Sequence, residues 1–128
     1  MNQLEKATSA AVRAARARTG CDCISAGPMV FGRPDLSIPT LVVYRPSGSS
    51  IVMAMHDAIP NAQFVQFMNR LTREEVRQRV VLEAQKLTAD AGEYERVGNA
   101  KKADRARKDA VVLGDYAKTI PSDYAAKE

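Results

Sequence analysis

The chain of 128 residues has no tryptophan and one histidine, and it contains only three phenylalanines and four tyrosines. With so few rings, its core has to be built mainly from Val, Ile, Leu, Met and Ala. A single histidine leaves little for acid–base catalysis or for the common metal sites. Hydrophobic residues at 45% and charged residues at 27% are ordinary values for a globular protein. The composition therefore excludes a collagen, a coiled-coil rod and a wholly disordered chain.

Long apolar runs are also missing. No run approaches the ~18 residues of a membrane span, and Met1–Lys6 has no stretch typical of a signal peptide. Residues 7–18 are rich in Ala and Arg, as in a mitochondrial transit peptide, but Glu5 argues against one. The two cysteines, Cys21 and Cys23, are too close for an ordinary disulfide between them. We therefore predict a cytoplasmic, reducing location.

The first part of the chain is helical, in what we predict to be a single domain over residues 1–128. Residues 2–19 are Ala-rich, with Asn2 placed to cap a helix and Gly20 to end it. Its apolar stripe is narrow, which permits close packing. The stripe comprises Leu4, Ala7, Ala11 and Ala14.

Residues 21–59 have the pattern of β-strands, because prolines recur too often for a helix. Apolar segments at 40–44 and 50–55 flank a five-residue loop, Arg45–Ser49, which is the best hairpin signal in the chain. A weaker strand around 24–31 completes a small three-stranded antiparallel meander. Since the strands are nearly continuous in hydrophobicity, we expect both sheet faces to be covered, by helices or by another subunit.

Residues 61–118 return to helical spacing, and residues 119–128 form a short tail. Asn61 is a cap candidate, Thr72 to Glu75 is a capping box, and Gly98 with Asn99 ends one helix and caps the next. Apolar stripes on the last two helices predict an antiparallel hairpin with an Ala-rich seam, so the fold class is α+β. The stripes are Val76, Val80, Ala84, Leu87, Ala91 and Tyr94, and Ala103, Ala106, Ala110, Leu113 and Ala117.

Part of this hairpin resembles a tetratricopeptide repeat in the spacing of its small, aromatic, Gly and Ala positions. These positions are Ala91, Tyr94, Gly98, Ala103 and Ala110. The match covers about 34 residues and occurs once, whereas such repeats need stacked neighbours to close their core. We therefore interpret it as a hairpin that uses the same packing rules, and not as family membership.

The net charge of +4 is unevenly distributed. Residues 1–19 carry four basic and one acidic side chain, and residues 99–118 carry six basic and three acidic ones. On the last helix, Lys101, Arg105 and Lys108 share a face, with Lys102 beside them. This ridge is either a phosphate-contacting surface or a solvated face opposite the Ala stripe. Arg13, Arg16 and Arg18 are interpreted mainly as partners of the helix dipole.

The loop from Arg45 to Ser50 has the chemistry to wrap an anion with hydroxyls and backbone amides, or it is a plain hairpin turn. It lacks the Lys and the second Gly of a nucleotide P-loop. We expect Arg45→Ala to weaken anion binding without shifting the melting temperature. The candidate ligand-binding residues are Arg45, Ser47, Ser49, Lys101, Lys102, Arg105 and Lys108.

Catalytic patterns are weak. His56 beside Asp57 is most simply a structural residue, and Cys21, Cys23 and His56 lack the spacing of a dyad or a metal site. We therefore predict a protein that is not an enzyme, with no cofactor or metal. The sequence also contains no zinc-finger spacing and no aromatic-and-basic strand motif for reading RNA.

The predicted function is the binding of an anionic partner, either a nucleotide-like small molecule or a nucleic-acid backbone. The alternative is a small virus- or mobile-element-type inhibitor or interaction protein directed at a host protein, or a structural virion component. A sheet this small and apolar is hard to stabilise alone, so we also expect a homo-oligomer.

Overall fold

A computed structural model describes residues 3–27 and 32–121. The helices are α1 (Gln3–Thr19), α2 (Asn61–Arg70), α3 (Arg73–Arg96) and α4 (Ala100–Thr119). The strands are β1 (Ile24–Ala26), β2 (Leu36–Ser37), β3 (Pro39–Tyr44), β4 (Ser50–Ala54) and β5 (Ile59–Pro60). The predicted α+β fold is confirmed, with an N-terminal helix, a three-stranded antiparallel sheet and a C-terminal helical hairpin. The predicted cap Asn2 and residues 28–31 of the weaker strand lie outside the described residues.

The three-stranded sheet has the order β1-β3-β4, and β2 pairs with β5 in a separate two-stranded sheet. β1 lies antiparallel to β3, with Ile24 opposite Leu41. The predicted hairpin is confirmed at its turn, where the Arg45 and Ser49 backbones are joined by a 2.8 Å hydrogen bond. The β2–β5 pair was not predicted, because two-residue strands leave no periodicity to detect.

Contacts divide the chain into two compact units. Unit 1 comprises Met1–Val42 and Val52–Val76, and unit 2 comprises Val43–Ile51 and Arg77–Glu128. The assignment of a single domain stays a prediction.

In unit 1, the buried stripe of α1 includes the predicted Ala11 but not the predicted Ala14. Ala11, Ala15 and Thr19 are buried at steps of four, with Val12 beside them, whereas Ala14 is exposed. Gly20 ends the helix as predicted, with a φ of 74° and a hydrogen bond from its N–H to the Arg16 carbonyl. The buried stripe runs from Ala11 in steps of four, so Ala15 takes the place predicted for Ala14, and small side chains still permit close packing. The side chain of Leu4 lies outside the described residues.

The basic end of α1 has a structural role within unit 1. The Arg18 guanidinium donates to the carbonyl oxygens of Met68, at 2.9 Å, and of Leu71. Arg16 Nε donates to the Ile24 carbonyl at 2.6 Å. The carbonyls at the end of α2 have no partner within that helix, so Arg18 satisfies groups that would otherwise need water.

Asn61 is not the side-chain cap predicted for α2. Pro60 occupies the cap position, and Asn61 is a buried residue of the first turn. Its amide nitrogen donates to the Pro34 carbonyl at 3.1 Å, and its Oδ1 accepts from the Ser37 hydroxyl at 2.6 Å. The side chain therefore joins α2 to the segment around β2, because a buried amide needs several partners at once.

Strand β4 alternates between buried and exposed residues. Ile51 and Met53 are buried, whereas Val52 between them is 55% exposed. Within the residues that the structure describes, nothing covers Val52, and cover of this face by another subunit stays a prediction. Successive side chains of a strand point to opposite faces of the sheet. A continuous apolar sequence therefore does not show that both faces are buried.

The sequence signals that predicted the helical hairpin are confirmed. Thr72 and Glu75 form the reciprocal capping box, with each backbone N–H donating to the other side chain at 3.1 Å. Gly98 has a φ of 81°, and the Asn99 side chain accepts from the Lys102 N–H at 3.2 Å. In unit 2 the Ala-rich seam is a buried cluster of Ala91, Ala103 and Ala106, with Leu87 and Tyr94 packed against it.

Among the described residues, no helix combines the length and the apolar character needed to cross a membrane.

Candidate functional site

Arg45 stands at the start of the hairpin loop in unit 2, where its guanidinium pairs with Asp109 of α4. Nε donates to Oδ1 at 2.8 Å and a terminal nitrogen donates to Oδ2 at 3.0 Å, which is a bidentate ion pair. The other terminal nitrogen donates to the Ser49 hydroxyl at 3.2 Å and to the Ser50 carbonyl at 3.1 Å. The Arg45 guanidinium, which was predicted to bind a phosphate, is therefore already hydrogen-bonded within the protein. Because Arg45 makes this ion pair within the fold, we expect Arg45→Ala to lower the melting temperature, contrary to the expectation from the sequence.

The loop hydroxyls are engaged as well. Ser47 Oγ and Ser49 Oγ lie 2.9 Å apart in a hydrogen bond. Gly48 has a φ of 94°, and its N–H donates to the Arg45 carbonyl at 2.9 Å, so the loop is a closed turn. This geometry favours the plain hairpin turn over an anion cradle at Ser47 and Ser49.

A groove on the helical hairpin of unit 2 brings two of the predicted residues together. It has a volume of about 310 Å³. Lys102 and Arg105 line it from α4, and Tyr94 lines it from α3. The Lys102 ammonium lies 5.7 Å from the centre of the Tyr94 ring, within reach of a cation–π interaction. The remaining lining residues are Leu87, Asp90, Ala106 and Asp109.

The other two basic candidates lie outside this groove. Lys108 pairs with Asp104 one turn away at 3.0 Å, and both side chains are exposed. Lys101 is exposed at the start of α4 and does not line the groove. The predicted ridge of four basic residues therefore divides into two that line a concave surface and two that lie on the solvated side of the helix.

Asp109 is the member of this site that sequence reasoning missed. Its hydrogen bonds from Arg45 hold the pKa of its carboxyl below the usual value, against the opposing effect of burial. A signal was present in the sequence, because Asp109 falls three residues after Ala106 on the buried stripe of α4. A carboxylate on an apolar stripe requires a cationic partner. Nothing local identified that partner as a residue 64 positions earlier in the chain.

Unit 1 contains a thiol, Cys21, and an imidazole, His56, which are the side chains that the sequence suggested for other chemistry. Burial raises the pKa of the Cys21 thiol, which disfavours the reactive thiolate. His56 Nδ1 lies 2.9 Å from the Asp57 carbonyl oxygen. Within residues 3–27 and 32–121, no group of three or more His, Cys, Asp or Glu side chains could hold a metal ion.

Comparisons of the chain with protein-family models, with curated proteins and with solved structures find no match.

Proposed function

We propose that the protein is a non-catalytic binding protein that holds an anionic, nucleotide-like small molecule in the groove between α3 and α4. The observation that carries this proposal is the position of Lys102 and Arg105 on the same concave surface as the Tyr94 ring. A phosphate would be contacted by the two cations, and a planar base would lie against the ring.

The charge of the groove supports an anion. Two of its lining residues are acidic, but Asp109 is already neutralised by Arg45. Asp90 is then the one lining carboxylate without a described ion-pair partner, against the two cations Lys102 and Arg105. The net charge of these lining side chains is therefore positive. The two cations lie near the start of α4, where the helix dipole is also positive.

The size of the groove favours a small molecule over a nucleic-acid backbone. Its volume of about 310 Å³ is at the lower end of the range for small-molecule sites. Backbone binding by surface lysines and arginines weakens steeply with salt, whereas a ligand in a groove depends on salt much less. A salt series therefore separates the two kinds of anionic partner.

The absence of catalysis and the cytoplasmic location belong to the same proposal. The protonated state favoured for Cys21 supports a thiol that is not a nucleophile. Both cysteines are buried thiols that form no disulfide, which supports a reducing compartment.

Alanine substitution of Lys102 or Arg105 is expected to weaken nucleotide binding at least tenfold, about 1.4 kcal/mol, because each removes a charge from the groove. Isothermal titration calorimetry with mononucleotides, cyclic nucleotides and oligonucleotides measures the effect. Lys86→Ala is the matched control, since Lys86 is exposed on α3 and does not line the groove. If the unmodified protein binds none of these ligands, the proposal is wrong.

The alternative proposal is an inhibitor or interaction protein directed at a host protein, or a structural virion component. Exposed apolar side chains in unit 2 support it, with Val97 exposed by 73% and Val111 by 60%. Nucleotide binding that responds to Lys102→Ala would argue against this alternative.

Self-association is a further part of the proposal. Val52 is an exposed apolar residue on β4, which is one of the two edge strands of its sheet. A second copy that packs on this sheet face would cover its side chain. We expect Val52→Lys to shift the protein toward monomer in size-exclusion chromatography with light scattering. Asn69→Lys, at an exposed position of α2, tests whether any added charge has this effect. A monomeric unmodified protein would contradict the prediction.

A further inference from the structure

Unit 1 contains a second concave surface, which the proposed function does not use. It has a volume of about 470 Å³, within the range of small-molecule sites. Helix α2 contributes Gln63, Gln66, Phe67 and Arg70, which recur at three- and four-residue steps and share one face of the helix. His56 and the first turn of α3 complete it.

One part of this cavity is aromatic and apolar. The His56 and Phe67 rings meet edge to face, with their centres 6.0 Å apart and their planes at 62°. Ile59 also lines the cavity, and the lining residue Leu71 is buried. These groups suit a planar ring, because aromatic pairs prefer offset and edge-to-face contacts.

The cavity also has two opposite charges that do not pair with each other. Arg70 is the last residue of α2, and its side chain makes no ion pair or hydrogen bond with any residue that the structure describes. It differs in this from Arg18 and Arg45, which are held by carbonyls or a carboxylate. Glu75 Oε1 accepts hydrogen bonds from the Thr72 backbone and hydroxyl, which hold the carboxylate in the first turn of α3.

We propose that this cavity binds a small aromatic zwitterion, of the chemical class of a free aromatic amino acid. The carboxylate of the ligand pairs with Arg70 and its ammonium group with Glu75, while its ring packs against Phe67 and His56. The amides of Gln63 and Gln66 supply further donors and acceptors for polar atoms of the ligand. This assignment uses both charges and both rings, and it is independent of the groove in unit 2.

The test is a titration of the unmodified protein with L-tryptophan, followed by NMR and calorimetry. Three matched probes each remove one feature of the ligand. L-tryptophanamide lacks the carboxylate, N-acetyl-L-tryptophan lacks the ammonium group, and L-cyclohexylalanine lacks the aromatic ring. We expect saturable binding of L-tryptophan with shifts at His56 and Phe67, and binding at least tenfold weaker for each of the three probes.

Two variants test whether Arg70 binds the carboxylate of the ligand and Glu75 its ammonium group. Arg70→Gln is expected to weaken L-tryptophan binding at least tenfold and to leave the already weak binding of the amide unchanged. Glu75→Gln keeps the capping box, since Gln also serves at this position, and is expected to weaken L-tryptophan but not its N-acetyl form. Arg13→Gln, at an exposed position of α1, is the control. The proposal is overturned if L-tryptophan does not bind, if the three probes bind as well as it does, or if Arg70→Gln has no effect.

Discussion

Replacing Phe64 by alanine is expected to lower the free energy of unfolding by about 3–5 kcal/mol, the range for removing a fully buried phenylalanine. The Phe64 side chain is 0% exposed on the inner face of α2, next to the equally buried Met68 one turn later. The substitution leaves a cavity, because the side chains around a fully buried position relax only in part.

Urea unfolding followed by circular dichroism measures this loss. Asn69→Ala is the matched control, because Asn69 lies on the same helix but is exposed, and it is expected to change stability by no more than about 0.5 kcal/mol. A small effect at Phe64, similar to that at Asn69, would mean that the inner face of α2 is not the one described.

Replacing Asp109 by alanine is expected to cost about 2 kcal/mol, the range for hydrogen bonds to charged groups. The Arg45 side chain is 21% exposed and that of Asp109 12%, so the pair is shielded from water far more than a surface ion pair. Arg45 would be left without its carboxylate. A double-mutant cycle with Arg45→Ala isolates the interaction, and additive effects of the two substitutions would show that the pair contributes nothing.

The same pair predicts a pH dependence. The pKa of Asp109 in the folded protein is lower than the value of 3.8 typical of a free aspartate, because Arg45 donates hydrogen bonds to it. Its contribution to stability is therefore fully present above about pH 4 and is lost as the pH falls through the lowered pKa. We expect the stability difference between the unmodified protein and Asp109→Asn to shrink on acidification. A difference that stays constant from neutral to strongly acidic pH would contradict this.

Much of the local structure could be predicted because its causes lie within a few residues of each other. Thr72 and Glu75 form a capping box from side chains three positions apart, and Gly98 with Asn99 separates two helices by backbone preference and a single side-chain bond. Helical spacing placed Arg105 on one face with Lys101 and Lys108, with Lys102 beside them. Such signals depend on short-range sterics and hydrogen bonding, which hold wherever the segment lies in the fold.

The tertiary structure alone decided which distant groups meet. Arg45 reaches Asp109 across 64 positions, Arg18 reaches the carbonyls of α2 across 50 and 53, and Asn61 bonds back to the segment around β2. Spacing placed Arg105 on a face with Lys101 and Lys108, but only the packing of α3 against α4 set Arg105 and Lys102 beside Tyr94 in a groove. Many residues offer a donor or a carboxylate, so the choice of partner depends on how the whole chain buries its apolar surface, which no local pattern records.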